Sequence, residues 1–191
     1  MRFKETKQAL EVFAKTIIKQ SKGNLRRHRN NKFITGSTSG ELEKSLDYKL
    51  TVGKDEFNVQ FFMADYGTFQ DLGVKGSKST YSKSKDSPYK YSGRFKSIPP
   101  QTLDKWMVKK AIKGIRDKEG RFIGRKSLRF LLAKSIYEKG LRASFFFTKP
   151  FENAFIKLPD ELIERFALDI DEFIQFTERW VQKLMLEARI L

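Results

Sequence analysis

The sequence predicts an α+β fold: a small antiparallel sheet with a hairpin core, packed by helices, with a long basic arm and a C-terminal helix. Apolar residues recur at helical spacing near both ends of the chain, and apolar and polar residues alternate in two short segments between them. Helices gathered around a small antiparallel sheet are typical of this class. The predicted segments are an N-terminal helix and basic link (1–32), a core (33–157) containing a flexible arm at about 77–97, and the C-terminal helix (158–191).

The N-terminal stretch predicts a helix over roughly Glu5 to Lys22, because its apolar residues share one face. Those residues are Leu10, Phe13, Ala14, Ile17 and Ile18. Gly23 is a residue type that commonly ends a helix, so we expect a stop there. The polar stretch that follows is interpreted either as a mobile arm or as a loop that contacts phosphates. This basic link contains Arg26, Arg27 and Arg29.

Two segments around a polar break at residues 53–56 predict a β-hairpin with one buried face. The alternating apolar residues are Leu46, Tyr48, Leu50 and Val52 before the break and Phe57, Val59, Phe61 and Met63 after it. Phe62 lies on the opposite face, which indicates that this face is partly covered as well.

Residues 77–97 are rich in serine and lysine, with interleaved tyrosines and no apolar periodicity. We expect a long exposed loop or an extended flexible arm. Lysines neutralise phosphates and aromatic rings stack on unpaired bases, so this arm is predicted to face DNA or to contact a neighbouring subunit. The basic residues assigned to it are Lys75, Lys78, Lys83, Lys85, Lys90, Arg94 and Lys96.

Two more helices are predicted after the arm. The first starts behind two prolines and ends before Gly114. The second has Ser127 as its N-cap and Gly140 as its stop.

The connector at residues 143–151, with the sequence ASFFFTKPF, is too short and too limited by its proline to predict a helix. We expect its aromatic side chains to pack against the sheet or against a neighbouring subunit. These interface aromatics are Phe145, Phe146, Phe147 and Phe151. Beyond Pro159 a helical rhythm continues almost to the end, with Asp169 or Asp171 as a cap if the helix breaks into two segments.

Composition excludes several classes of site. The chain has no cysteine and one histidine, which removes disulfides, thiol nucleophiles, cysteine-ligated zinc and multi-histidine metal sites. Two glycine–lysine segments, at 73–79 and 120–127, lack the spacing of a phosphate-binding P-loop. No run reaches the about 18 apolar residues that a membrane span needs. We therefore predict no enzyme, no catalytic residue, no cofactor, no metal site and no membrane segment.

The formal net charge of +16 is distributed unevenly. Residues 1–32 carry +8 and residues 76–149 carry +15, whereas residues 33–75 and 150–191 carry −3 and −4. Such concentration favours a surface that faces a polyanion, although lysine-rich helix faces in water explain it equally well. One open function is therefore a stand-alone, non-specific nucleic-acid-binding protein that acts through its basic arm.

Three stretches carry motifs in matching order. In residues 66–76, YGTFQDLGVKG, an aromatic residue precedes D-x-G-V-x-G. In residues 98–112, IPPQTLDKWMVKKAI, two prolines precede a helix with a tryptophan and a basic pair. Residues 131–151 combine a helix, a glycine stop and the segment K-P-F. Together they resemble the phage tail-completion or head–tail connector (neck) protein family, particularly its branch in phages of gut Bacteroidetes.

The resemblance implies a structural virion protein without enzymatic activity, made in the host cytoplasm and placed in the neck or tail. It implies a homo-oligomeric ring of twelve or six subunits at the head–tail junction, which completes the tail and lets genomic DNA pass. The implied partners are portal or adaptor proteins, tail proteins and, through non-specific contact, genomic DNA; no cofactor is implied.

A closed ring needs complementary faces on each subunit. We therefore hypothesise that acidic residues of the C-terminal helix meet the basic 76–149 block of a neighbour. These acidic residues are Glu161, Glu164, Asp169, Asp171, Glu172 and Glu178.

Overall fold

Helices predominate in the computed structural model, which describes residues 3–30, 40–53, 56–93, 95, 103–110 and 112–187. The helices are α1 (Lys4–Asn30), α2 (Glu41–Ser45), α3 (Gly67–Leu72), α4 (Leu103–Lys109), α5 (Arg125–Lys139), α6 (Thr148–Phe155) and α7 (Leu158–Glu187). The strands are β1 (Asp47–Val52), β2 (Phe57–Phe62), β3 (Val74–Lys75) and β4 (Gly140–Leu141). β1 pairs with β2, and β3 pairs antiparallel with β4. The predicted α+β class is confirmed.

The chain divides into two units that cut across the predicted segments. Unit 1 comprises residues 1–19, 48–61 and 150–191, and unit 2 comprises residues 20–47 and 62–149. The predicted boundaries at residues 32 and 157 do not coincide with this division, because α1 and α6 each contribute to both units.

The core of unit 1 contains the N-terminal half of α1, the hairpin and α6. Ala14 and Ile17 are fully buried, as the apolar stripe predicts. The rings of Phe13, Phe61 and Phe151 pack edge to face, with centroids 6.0–6.4 Å apart. Each such aromatic pair adds about 1 kcal/mol to the burial of its apolar area. These contacts fix the hairpin against α1.

The hairpin lies where the alternation predicts it, and Gly53 N donates to Glu56 O across its turn at 2.8 Å. Tyr48, Leu50 and Val59 share a face that is half-buried, not fully buried as predicted. Val52, predicted on the same face, is 46% exposed because it lies at the end of β1. The expected cover of the opposite face is wrong, since Phe62 is 48% exposed. One apolar residue at the end of a strand does not make a second buried face.

Asp169 of α7 caps the N-terminus of α1 within unit 1. Its carboxylate accepts hydrogen bonds from Glu5 N (3.0 Å), Thr6 N (2.9 Å) and Thr6 Oγ1 (2.7 Å). Burial by itself raises the pKa of Asp169, but the hydrogen bonds from Thr6 and Glu5 outweigh it and hold that pKa below its usual value. Asp169 thus caps a different helix, and α7 runs as one helix from Leu158 to Glu187 without a break.

The predicted end of α1 at Gly23 is wrong, because the helix continues to Asn30. Leu25 is only 2% exposed, and Asn24 Nδ2 donates to Phe146 O at 3.2 Å. Burying a leucine contributes about 2 kcal/mol, which exceeds the cost of about 1 kcal/mol for glycine inside a helix. As far as Asn30, the basic link is therefore the last part of α1 and is neither an arm nor a loop; residues 31–32 lie outside the described residues.

A short antiparallel pair in unit 2 brings β3 against β4, with Val74 opposite Leu141 and Lys75 opposite Gly140. A Cβ on Gly76 would lie 2.2 Å from Glu138 O, and one on Gly140 would lie 2.0 Å from Val74 O. Both positions require glycine because the two backbones approach so closely. Gly140 also ends α5 with a φ of 84°, which agrees with the predicted stop.

Two predictions about helix starts are wrong. Ser127 does not cap α5, which begins at Arg125 after Gly124. The segment K-P-F lies in a helix, α6, because Pro150 occupies its first turn, where no backbone N–H is needed for an intrahelical bond. The start of α6 is capped by Asp71, a residue distant in sequence. Its carboxylate accepts hydrogen bonds from Phe147 N (2.8 Å), Thr148 N (3.2 Å) and Thr148 Oγ1.

Candidate functional site

The basic loop, defined as residues 75–93, carries most of the lysines predicted to face DNA or a neighbouring subunit. Lys75 is half-buried in β3, whereas Lys78, Lys83, Lys85 and Lys90 are exposed. Arg94 and Lys96 lie outside the described residues.

Two serines attach the basic loop to the rest of unit 2. Ser84 Oγ donates to Leu141 O and accepts from Ala143 N, both at 2.8 Å. Ser87 Oγ donates to Gly73 O at 2.7 Å. Ser84 is fully buried and Ser87 is 4% exposed. The buried hydroxyls satisfy backbone groups that would otherwise be desolvated without partners.

Backbone hydrogen bonds also hold the loop in place. Lys75 N donates to Tyr89 O at 2.8 Å, and Tyr91 N donates to Lys75 O at 2.9 Å. Lys78 N and Ser79 N both donate to Glu138 O at the end of α5. The prediction of a flexible arm is therefore wrong for residues 77–93, since the loop is attached at several points along its length.

The aromatic residues of this loop are mostly engaged inside unit 2. The ring of Tyr89 packs against Phe69 with centroids 4.5 Å apart, and the ring of Tyr91 lies 5.9 Å from that of Tyr137. Burial raises the pKa of Tyr91. Tyr81, by contrast, is 42% exposed. It is the loop tyrosine best placed to stack on a base.

The lysines of the loop differ in their ion pairs. Lys78 Nζ lies 2.7 Å from Glu138 Oε1, and this hydrogen bond from Lys78 lowers the pKa of Glu138. Lys83, Lys85 and Lys90 are exposed and have no ion pair with the described residues. These three ammonium groups are the ones available to neutralise phosphates.

The basic end of α1 has structural partners. Arg26 Nε donates to Glu43 Oε1 at 2.6 Å, and Arg27 donates to the side-chain oxygen of Asn24. Positive charge at a helix C-terminus is also favoured by the helix dipole. Arg29 lies in the helix, but its side chain is outside the described part. The contacts of Arg26 and Arg27 thus account for these side chains without a phosphate.

The interface aromatics do not form an exposed cluster. Phe146 is fully buried in unit 2, and Phe151 belongs to the ring cluster of unit 1. Phe145 and Phe147 are half-buried, and Lys149 Nζ lies 5.9 Å from the centroid of the Phe145 ring. The prediction is wrong for Phe146, because the folded connector turns this ring into the core while Asp71 holds the start of α6.

Several large apolar side chains are exposed elsewhere, on α7. In α7, every described side chain from residue 171 to residue 183 is exposed. Its large apolar members are Phe173 (48%), Ile174 (48%), Phe176 (62%), Trp180 (56%) and Val181 (39%). Their helical spacing was visible in the sequence, but spacing alone predicts a buried face and does not show which molecule buries it.

Unit 2 carries a second exposed apolar surface, between α4 and α5. A cavity of about 210 Å³ opens there, lined by Met107, Val108, Ile112, Ile123, Arg125 and Leu128. Val108 is 63% exposed and the nearby Phe122 is 67% exposed, whereas Met107 and Leu128 are buried. Asp104 joins the two helices through Arg125 (3.0 Å) and Arg129, and the hydrogen bond from Arg125 lowers the pKa of Asp104.

These two surfaces have opposite charge. Residues 103–142 contain 13 basic and four acidic side chains, a formal charge of +9. Residues 158–187 contain three basic and eight acidic side chains, a formal charge of −5. Within α7, the exposed residues 171–183 contain two basic and three acidic side chains, a formal charge of −1. The chain therefore presents a basic apolar surface on unit 2 and an apolar surface at the end of the acidic helix α7.

Neither surface resembles a metal centre. Within the described ranges, no group of three or more His, Cys, Asp or Glu side chains is placed to hold a metal ion. No helix in the described part of the chain combines the length and apolar character that a membrane span requires.

Comparisons with protein-family models, with curated proteins and with solved structures find no match.

Proposed function

We propose that the protein is a structural subunit of a phage neck, assembled as a homo-oligomeric ring at the head–tail junction through which genomic DNA passes. The observation that carries this proposal is the pair of exposed apolar surfaces on oppositely charged segments, +9 over residues 103–142 and −5 over the whole of α7, residues 158–187. Two unlike surfaces on one chain suit a heterologous contact, which generates a ring when its rotation closes.

The resemblance to neck proteins supports the same proposal. Its first and third motifs meet in unit 2, where Asp71 of D-x-G-V-x-G caps the helix that contains K-P-F. Gly76 of the first motif lies against Glu138 O at the end of α5. Asp71, Gly76 and Glu138 thus have structural roles within unit 2, as is expected of a structural subunit.

Sedimentation velocity and electron microscopy of the purified chain test the proposal. We expect closed rings with a central channel at micromolar concentrations. A chain that stays monomeric at high concentration would contradict it.

The second candidate function is stand-alone, non-specific nucleic-acid binding, which is favoured by the exposure of Lys83, Lys85 and Lys90. In a ring, the same lysines would contact the passing duplex through phosphates without reading bases. The two functions therefore differ in assembly and share the chemistry of DNA contact.

Replacing Lys83, Lys85 and Lys90 by serine tests that chemistry. We expect weaker binding to duplex DNA, and a salt dependence reduced by about 0.9 in log–log slope for each phosphate that the variant no longer neutralises. The matched control removes Lys7, Lys19 and Lys49, three exposed lysines of unit 1. Equal weakening in both variants would show that net charge alone drives binding.

A further inference from the structure

In the exposed end of α7, residues 171–183, no described side chain is buried. The preceding turn is anchored in unit 1 by Asp169 at the start of α1 and by Phe166, whose ring stacks on Phe3 at 5.6 Å. Beyond it, about 20 Å of helix follow at 1.5 Å per residue. A helical segment of this length is marginal in water unless another surface packs on its apolar face.

The apolar area on this segment is large enough for a subunit contact. Five large apolar side chains are between 39% and 62% exposed. With about 200 Å² for an aromatic side chain, they expose roughly 500 Å². One partner of a standard interface contributes about 800 Å² in total, of which about 60%, or roughly 500 Å², is apolar. Phe173 and Trp180 are seven residues apart and so lie on one face of the helix.

The basic groove of unit 2, defined by the cavity between α4 and α5 and by Phe122 at its rim, is the complementary surface. Its floor contains the buried side chains of Met107 and Leu128. Lys113 and Lys126 are exposed beside it and have no ion pair with the described residues. Apolar walls fit the apolar face of an amphipathic helix, as in other helix-in-groove contacts. The basic rim is opposite in charge to α7, which carries −5 over residues 158–187 and −1 over residues 171–183.

Both surfaces are exposed in the described chain. We propose that the exposed end of α7 from one copy docks in the basic groove of a second copy, with Phe173 and Trp180 as the anchoring side chains. This inference rests on the proposed ring, for which it names the interface. Each copy gives its helix to one neighbour and receives a helix from the other, so the contact is heterologous.

Two broken variants test this interface by complementation. The helix variant is F173Q/W180Q, and the groove variant is V108Q/F122Q. All four side chains are about half exposed or more, so folding should be retained, and glutamine adds no charge. The matched control is V52Q/F62Q, which removes two hairpin side chains that are 46% and 48% exposed.

We expect rings from the wild type and from the control, monomers from each broken variant alone, and one-to-one dimers from their mixture. The dimer forms because the intact helix of the groove variant meets the intact groove of the helix variant. Masses are measured by sedimentation velocity, and circular dichroism checks the fold.

The alternatives give different results. If the helices instead pair with each other, the groove variant alone associates and the mixture gains nothing, which overturns the inference. Rings from the wild type and from both broken variants, or no dimer in the mixture, overturn the inference and leave the proposed function standing. A monomeric wild type overturns both.

Discussion

The basic loop and the exposed end of α7 differ in how their side chains are covered. The loop consists mainly of serines, lysines and tyrosines, yet Ser84 and Ser87 are buried. Their hydroxyls donate hydrogen bonds to the backbone oxygens of Leu141 and Gly73, respectively. The end of α7 contains five large apolar side chains, yet all of them are exposed. A polar segment is thus held within its own chain, whereas the apolar side chains of this helix are exposed to solvent.

The difference shows what each kind of side chain requires. A serine hydroxyl can satisfy one donor and one acceptor in a site too small for water, so a few serines anchor a polar loop. An apolar helix face only requires removal from water, and a second copy supplies that as well as the same chain does. Attachment of the loop and the proposed assembly through α7 should therefore respond to different substitutions.

Among substitutions that break the attachment of the loop, the largest effect is expected from Gly76→Ala. The added Cβ would lie 2.2 Å from Glu138 O and 2.3 Å from Ser79 O, both backbone atoms. We expect a loss of about 3 kcal/mol in the free energy of unfolding, measured with urea at a concentration where the chain is monomeric. Gly124→Ala is the control, because a Cβ there meets nothing within 4 Å. Equal stability of the two variants would contradict the close packing.

Ser84→Ala tests the anchoring hydroxyl. Loss of this hydroxyl leaves Leu141 O and Ala143 N without their partner, so we expect a loss of about 2 kcal/mol. Ser82→Ala in the same turn is the control, because Ser82 is exposed and should change stability by less than about 0.5 kcal/mol. A neutral Ser84→Ala would show that the loop is not held by this hydroxyl.

Asp169→Asn weakens the hydrogen bonds between α7 and the start of α1, which we expect to lower the free energy of unfolding by about 1 kcal/mol at pH 7. The folded pKa of Asp169 lies below its unfolded value. Its contribution is therefore complete above about pH 5 and is lost as the pH falls through the folded pKa. Urea unfolding of both proteins from pH 7 to pH 2 should show the difference shrinking in acid. A difference that is independent of pH would exclude the charge of Asp169 as its cause.

The smallest effect is expected from Phe176→Ala in the monomer. Phe176 is 62% exposed, so its truncation should change the free energy of unfolding by less than about 0.5 kcal/mol. Phe146→Ala is the contrast, since this fully buried ring should cost about 3–5 kcal/mol. A large loss from Phe176→Ala in the monomer would mean that the end of α7 is covered by its own chain.

Local patterns predicted the elements whose burial follows from spacing along the chain. The stripe through Ala14 and Ile17 and the alternation in β1 and β2 are of this kind. The continuation of α1 past Gly23 depends on Leu25 and on a hydrogen bond from Asn24 to Phe146, 122 residues away. No local pattern contains such a long-range interaction.

The candidate site was predicted less well for the same reason. The exposed lysines follow from composition, but Ser84 binds partners 57 and 59 residues away, which composition does not show. Phe146 was assigned to an interface because it stands in an aromatic run, and the cap by Asp71 turns it into the core. The role of Lys83, Lys85 and Lys90 stays a prediction.

Burial of residues 171–183 by a second copy is tested most directly by hydrogen–deuterium exchange, below and above the concentration at which the chain assembles. We expect the amides of residues 171–183 and of the basic groove to become protected on assembly, because docking suppresses local opening. The amides of the basic loop should exchange equally in both states, since their hydrogen bonds lie within one chain. Unchanged exchange of residues 171–183 in fully assembled protein would contradict docking of α7.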